Sequence, residues 1–298
     1  MSVTVRAPAK INLHLGVGPA RPDGYHELAT VYQAIGLYDD LTATEAEDWS
    51  VSVTVTGEID ASEVPLDDRN IAIRAGRALC AHHGIDRRAH LEIVKSIPVA
   101  GGLAGGSADA AAALVALDRL WDLHTSDPDL LALAGRLGSD VPFALVGGTA
   151  YGTGRGELVD PVEDHGAWWW VVVPNATGLS TASVYARYDA LGLGEHLRAP
   201  VSLFAALAGG RPDDLAAELH NDLEPAALDL RSDLRETRTR IEAAGAQAAL
   251  LSGSGPTWLG LARDADDARD IAAELGGAHR GVLCAPGPVA GAHVVTYV

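Results

Sequence analysis

The amino-acid sequence reads as an α+β protein built in two lobes. Three observations carry that reading. The chain has 298 residues, 48% of them hydrophobic, enough for one large domain or two ordinary ones with real cores. Helical periodicity and antiparallel-looking strand patterns mix in both halves instead of segregating. Beyond Pro174-Asn175-Ala176 the pattern turns helix-dominated, which divides the chain into residues 1–174 and 175–298.

The elements follow in order. Val3–Val5, Ile11–Val17 and Leu28–Leu37 read as strands, and Trp49–Thr56 alternates Val51, Val53 and Val55 with polar partners. Asn70–His83 carries Ile71, Ala75, Ala78 and Leu79 at helical spacing and stops at Gly84. A short strand, His90–Lys95, precedes the glycine-rich Gly101–Gly106. A helix from Ser107 to Trp121 follows, its stripe made by Leu114, Leu117 and Trp121. A helix Pro128–Leu137 leads to Gly138-Ser139-Asp140-Val141-Pro142, and strands near Thr149–Tyr151 and Trp168–Val173 close the first half. The second half predicts helices at Thr181–Leu191, Leu215–Leu219, Leu234–Ala244 and Asp266–Leu275. Its strands fall at Gln247–Leu251, Trp258–Leu261, Gly281–Ala285 and His293–Tyr297. Ligand sites tend to sit between such lobes.

Composition excludes several classes. With 22 Lys+Arg against 40 Asp+Glu the net charge is −18, unsuited to wrapping nucleic acid or adhering to anionic membrane. A phosphate-bearing ligand must then be held by local devices. Cys80 and Cys284 are too few for a disulfide framework or thiolate metal site and suit a reducing, cytoplasmic setting. Met1 leads directly into a short alternating stretch, so no signal peptide is expected, and no run is long and apolar enough to span a membrane.

The 33 glycines cluster at a few places. The stretch Ile97-Pro98-Val99-Ala100-Gly101-Gly102-Leu103-Ala104-Gly105-Gly106-Ser107-Ala108-Asp109 lies between a strand and a helix. Bare backbone there can approach a ligand closely, and a helix start offers free N–H groups and the positive end of its dipole. Together these form a phosphate cradle without Lys or Arg, and residues 96–113 contain neither. A Walker loop is excluded because Gly106 is followed by Ser107, and the dinucleotide Gly-x-Gly-x-x-Gly spacing is missing. The plainer alternative is a flexible connector with Ser107 as an N-cap.

Lys10 is a single charge inside an apolar strand-like run, either facing out from an amphipathic strand or lining a polar cleft. Asp140, among Val141, Phe143, Ala144 and Leu145, is either a helix cap or a functional acid. A carboxylate that takes a proton from a hydroxyl, beside an ammonium that keeps it ionised, makes a workable phosphoryl-transfer pair. Spacing does not bring the two together.

Ala7-Pro8-Ala9-Lys10-Ile11-Asn12-Leu13, the loop Pro98–Ala108, and Leu251-Ser252-Gly253-Ser254-Gly255-Pro256 resemble, in the same order, stretches of the GHMP kinase superfamily. The resemblance implies a two-lobed GHMP kinase fold with a ribosomal-protein-S5-domain-2-like N-terminal lobe and a ferredoxin-like C-terminal lobe. Arg21-Pro22-Asp23-Gly24-Tyr25-His26-Glu27-Leu28, Gly101–Asp109, Ser139-Asp140-Val141-Pro142-Phe143 and Asn221-Asp222-Leu223-Glu224-Pro225 are similar to signatures of one branch. That branch phosphorylates, with ATP, the 2-hydroxyl of a cytidine diphosphate-linked methylerythritol in non-mevalonate isoprenoid synthesis.

The resemblance implies Asp140 as base and Lys10 as its partner, with Lys10, Asn12 and Asp140 on the carbohydrate-like end of the substrate. It implies ATP phosphates on Pro98, Val99, Ala100, Gly101, Gly102, Leu103, Ala104, Gly105, Gly106, Ser107 and Ala108. It implies Tyr25 and Tyr185 stacked on cytosine, His26 on the base edge and Thr181 nearby. Taken singly, Tyr25 reads as loop packing and His26 as a surface histidine. No His spacing forms a metal motif, so Mg²⁺ is expected to arrive with ATP on phosphate oxygens and water, with Ser107 the one candidate protein ligand. Ala104 stands where many relatives carry Gly, and Ala108 where many carry Ser. Position 185 is Tyr where some have Phe, which keeps the stacking area. Alternatives are another superfamily kinase, for homoserine or mevalonate, a catalytically silent nucleotide-binding regulator, and an RNA-associated protein, which the charge disfavours.

Overall fold

The computed structural model describes residues 1–296 apart from 58, 100 and 195. The chain opens on two long antiparallel strands, β1 (Ser2–Ala20) and β2 (His26–Glu45), in register from Ser2 opposite Thr44 to Ala20 opposite His26. Sequence patterning broke β1 into Val3–Val5 and Ile11–Val17 and stopped β2 at Leu37. The alternation fails because almost every residue from Ala7 to Val17 is buried, and a strand covered on both faces loses its period-two signal. Register shifts fall at Pro8/Ala9 and Asn12/His14, flanking Lys10.

β3 (Ser50–Val55) pairs in parallel with β4 (Ala89–Lys95), and α1 (Ile71–His83) lies between them in sequence. The Asn70 side chain caps α1 by accepting from Ala72 N–H, and Gly84 ends it in the left-handed region. Then come α2 (Gly105–Trp121), α3 (Asp127–Leu137) and α4 (Val141–Val146), and the strands β5 (Thr149–Thr153) and β6 (Leu158–Pro161). Helix α2 starts two residues before the expected Ser107. Its cap position is Ala104, left-handed and without a side-chain cap, so Ser107 is no N-cap. The six-residue α4 and four-residue β6 are too short to show a period, and sequence reading passed over both.

β7 (Trp168–Val173) begins a second sheet. The remaining helices are α5 (Thr181–Ala190), α6 (Val201–Gly209), α7 (Pro212–Glu218), α8 (Glu224–Leu230), α9 (Leu234–Ala243) and α10 (Ala265–Gly276). The remaining strands are β8 (His220–Asn221), β9 (Ala248–Leu251), β10 (Trp258–Ala262), β11 (Leu283–Gly287) and β12 (His293–Val295). The predicted strand end at Tyr297 lies outside the described residues.

The first sheet runs β12-β1-β2-β4-β3, with β5 on β2, β6 on β5 and the short β8 on β1. The second runs β11-β7-β10-β9, all antiparallel, with helices between β7 and β9 and α10 between β10 and β11: the βαββαβ ferredoxin-like order. Pairing therefore puts Trp168–Val173 with the second sheet, ahead of Pro174, and returns β12 to the first. A boundary after residue 174 would strip that sheet of its first strand.

Trp168, Trp170 and Trp258 are fully buried in and behind the second sheet, each worth about 3–5 kcal/mol against truncation to Ala. The largest core cluster joins α1, α2 and the first sheet to Trp168, Trp170 and Leu259 of the second. That shared core fixes the two sheets around the cleft described next.

Candidate active site

One cavity of about 770 Å³ is walled by both lobes. Strand β1 supplies Lys10 and Asn12, two residues apart and so on one face. Lys10 is 8% exposed, and its ammonium donates to Asn12 Oδ1 at 2.8 Å and lies 3.7 Å from Asp140 Oδ2. Asn12 in turn donates to Thr30 Oγ1 (2.8 Å), and Thr30 to the His14 carbonyl (2.8 Å). Of the two sequence readings for Lys10, the cleft-lining one holds.

Asp140 occupies the N-cap position of α4 without using its side chain as a cap. The carboxylate is left to Lys10 and to the Tyr32 hydroxyl, which donates to Oδ1 at 3.1 Å. Burial, and then the Asp140 charge, push the Tyr32 phenol well above its ordinary pKa, so it stays a neutral donor. The other oxygen of Asp140 opens on the cavity beside the lysine, an arrangement fit to accept a proton from a hydroxyl.

The glycine-rich turn forms a second wall. Gly102 (φ 78°) and Ala104 (φ 57°) are both left-handed, and a Cβ at Gly102 would run into the Ser252 carbonyl. Leu103 is fully buried and anchors the turn, its carbonyl accepting from Lys10 N–H at 3.1 Å. Ser252 Oγ donates to the Gly102 carbonyl (3.2 Å). The first intrahelical bond of α2 runs from Ala108 N–H to Ala104 C=O, which leaves the amides of Gly105, Gly106 and Ser107 ahead of it. Bare glycines at a 17-residue helix start suit a polyphosphate.

Beneath that turn lies a buried ionic triad. Lys95 Nζ donates to Asp39 Oδ2 (2.5 Å) and Asp109 Oδ2 (2.7 Å), and Asp39 Oδ1 accepts from Ser96 and Ile97 N–H. A Cβ on Gly105 would sit 3.5 Å from Asp39 Oδ2. Burial, then the Asp39 charge, outweigh Lys95 and push the Asp109 carboxyl up to about 8. Among the described residues Asp109 Oδ1 has no hydrogen-bond partner. The motif Gly101–Asp109 thus ends in a residue that supports the turn from behind.

The far end of the cavity is aromatic. Tyr25 is 52% exposed, with the Arg155 guanidinium 4.9 Å from its ring centroid. The His26 and Tyr185 rings lie 5.0 Å apart, and His26 Nε2 hydrogen-bonds Asp189 Oδ1 at 2.8 Å. Thr181 Oγ1 pairs with Ser254 Oγ (2.9 Å). The Leu251–Pro256 turn is held by Asn221 Nδ2, which donates to the Leu251 and Gly253 carbonyls, while Asp222 accepts from Val17 N–H. This gives the Asn221–Pro225 motif a structural task.

Lys10, Asn12, Tyr25, His26, Asp140, Thr181 and Tyr185 all line this one cavity, with Pro98, Gly101, Gly102, Ala104, Gly105 and Gly106. Leu103 and Ala108 face the core, Val99 and Ser107 are outside the lining, and Ala100 lies outside the described residues. Sequence reading missed Tyr32, Thr30, Arg155 and Asp189. Tyr32 sits in a core strand 108 positions from its partner, and no local pattern marks it.

Residues 70–148 match the family described as GHMP kinases N terminal domain, and residues 203–280 that described as GHMP kinases C terminal. The fold and the glycine turn thus define a GHMP kinase. A 4-diphosphocytidyl-2-C-methyl-D-erythritol kinase of Nocardioides sp. is 61% identical over 98% of this chain and 100% of its own length. A crystal structure of 4-(cytidine 5'-diphospho)-2C-methyl-D-erythritol kinase is 32% identical, with TM-score 0.78 over 97% of this chain and 100% of that one. An L. major mevalonate kinase, 17% identical with TM-score 0.75 over 96% of each chain, shares the fold alone. The chain belongs to the 4-diphosphocytidyl-2-C-methyl-D-erythritol kinase family.

Proposed function

We infer that this enzyme transfers the γ-phosphoryl group of ATP to the 2-hydroxyl of 4-diphosphocytidyl-2-C-methyl-D-erythritol, a step of non-mevalonate isoprenoid synthesis. The products are the 2-phosphate and ADP. The observation that carries the mechanism is the uncapped Asp140 carboxylate 3.7 Å from Lys10, in the cavity that the glycine turn also lines.

In this mechanism the acceptor hydroxyl sits at Asp140 and Lys10 and gives its proton to the carboxylate as its oxygen bonds to the γ-phosphorus. The bond from that phosphorus to the β-bridging oxygen breaks, and the electron pair leaves with ADP. Lys10, 3.7 Å from the Asp140 carboxylate, offsets charge on the transferred group. Tyr32 and Asn12 hold the two reacting side chains in place through the bonds above.

The amides of Gly105, Gly106 and Ser107 receive the triphosphate, which explains how a chain of net charge −18 binds it. Among the described residues no cluster of three His, Cys, Asp or Glu side chains could hold a metal. A Mg²⁺ ion arriving with ATP would be held by phosphate oxygens and water and would supply charge neutralisation, with the Ser107 hydroxyl the one protein group the family resemblance offers it. Tyr25 and Tyr185 receive the cytosine, at about 1–3 kcal/mol per stacking contact. A cytoplasmic site fits the free Cys80 and Cys284, and among the described residues no helix is long and apolar enough to cross a membrane.

ADP release with the cytidine diphosphate acceptor, homoserine and mevalonate compared side by side tests the assignment. Turnover with the first alone is expected, and a preference for homoserine or mevalonate would overturn it. An Asp140→Asn variant with unchanged turnover would point instead to a base-independent or non-catalytic site.

A further inference from the structure

Helix α5 carries Thr181, Tyr185 and Asp189 at successive four-residue steps, which places them along one face. Thr181 and Tyr185 line the cavity. Asp189 Oδ1 lies 2.8 Å from His26 Nε2 in a hydrogen bond, and the His26 side chain is only 6% exposed. The ring is braced on two more sides, by Tyr185 at 5.0 Å and edge-on by Tyr188 at 6.2 Å. Tyr188 is itself fixed, its hydroxyl donating to the Val17 carbonyl at 2.7 Å. Among the described residues no hydrogen bond reaches His26 Nδ1, while His26 belongs to the cavity wall.

An ionised carboxylate can only accept, so it keeps the proton of a neutral imidazole on Nε2 and leaves Nδ1 as a bare acceptor. We propose that Asp189 is a positioning residue that sets the His26 tautomer and thereby the choice of cytosine over uracil. This rests on the substrate reading above. The two bases differ where Nδ1 would meet them: cytosine presents an exocyclic amino donor, uracil a carbonyl acceptor. A bare Nδ1 accepts from the first and opposes the lone pairs of the second. Discrimination by a buried group left unpaired exceeds what shape alone gives a pair of near-isosteric bases. The carboxylate acts through His26 and touches neither base nor phosphate.

The test pairs Asp189→Ala with Asp189→Glu. Asp189 is half exposed, and thermal melting serves as the check on folding. The first readout is the ¹⁵N spectrum of the His26 ring in substrate-free enzyme, where wild type is expected to carry its proton on Nε2 and Asp189→Ala to mix tautomers. The second is the ratio of kcat/KM for the cytidine diphosphate acceptor to that for its uridine counterpart. Asp189→Ala is expected to lower that ratio about tenfold, mainly through KM for the cytidine compound, and Asp189→Glu to restore most of it. An unchanged ratio in a folded Asp189→Ala enzyme, a wild-type ring protonated on Nδ1, or a wild type indifferent to the base would each overturn the proposal. Wild-type failure with the cytidine acceptor itself would instead strike the substrate reading, and the tautomer measurement would still decide the Asp189–His26 link.

Discussion

Asp140 and Lys10 illustrate how little a single position reveals. Each had an ordinary explanation in the sequence, a cap and an outward strand residue, and the geometry removes both. The cap bond is not made, and the lysine is buried against Asn12. Losing the base should lower kcat about 10²–10⁴-fold in Asp140→Asn, and Lys10→Ala should fall comparably in steady-state ADP release. Asp109 makes a different kind of prediction. Its folded carboxyl titrates near 8, above the unfolded value of 3.8, so the unfolded chain releases this proton first. Stability should then fall as pH rises from about 4 to about 8 and level off above. Lys95 does not cancel this: burial lowers its pKa, Asp109 and Asp39 raise it more, and it stays charged. Urea unfolding of Asp109→Asn should show a flatter profile over that window, and an unchanged slope would refute the assignment. Lys10 and Asp140 were legible because a lone charge in an apolar run is conspicuous. Tyr32 and Asp189 were not, because their roles exist only through partners distant in sequence.

Helix α2 and the turn before it are where local chemistry and site requirements conflict. Ala104 is held at φ 57°, a region that costs a residue with a Cβ about 1–2 kcal/mol. Ala104→Gly should leave the bond from Lys10 N–H to Leu103 intact and raise stability by up to about 1 kcal/mol, read as a higher Tm. Gly102→Ala should do the reverse. Its Cβ meets the Ser252 carbonyl, so the turn must shift, raising KM for ATP at least as much as it lowers Tm. The long amphipathic elements were readable to within a few residues: α1, α2, α3, α5 and α10 all stand near their expected limits. Four-residue β6, six-residue α4 and the bulged, doubly covered β1 were not, since each lacks the periodicity that patterning relies on.

The two sheets meet through a polar hub as well as an apolar core. Gln33 of β2 is fully buried, accepts from Trp170 Nε1 of β7 at 2.9 Å and donates to Asp164 at 3.0 Å. Asp164, in the connection between the sheets, also accepts from Trp168 Nε1 at 2.9 Å. Gln33→Leu should orphan Trp170 Nε1 and cost about 2–3 kcal/mol in urea unfolding. The crossing of β7 into the second sheet explains why the sheet changes one strand before the composition does at Pro174: the three consecutive Trp residues look alike whichever sheet they join. In the proposed mechanism a chain with strong negative charge holds a polyphosphate on amides and activates an alcohol with one carboxylate. The direct measurement is single-turnover transfer of labelled γ-phosphate from enzyme-bound ATP to the bound cytidine diphosphate acceptor, comparing wild type with Asp140→Asn. A transfer rate constant lowered about 10²-fold or more, with both ligands still bound at near wild-type affinity, is the expected result. Transfer within about threefold of wild type would contradict it.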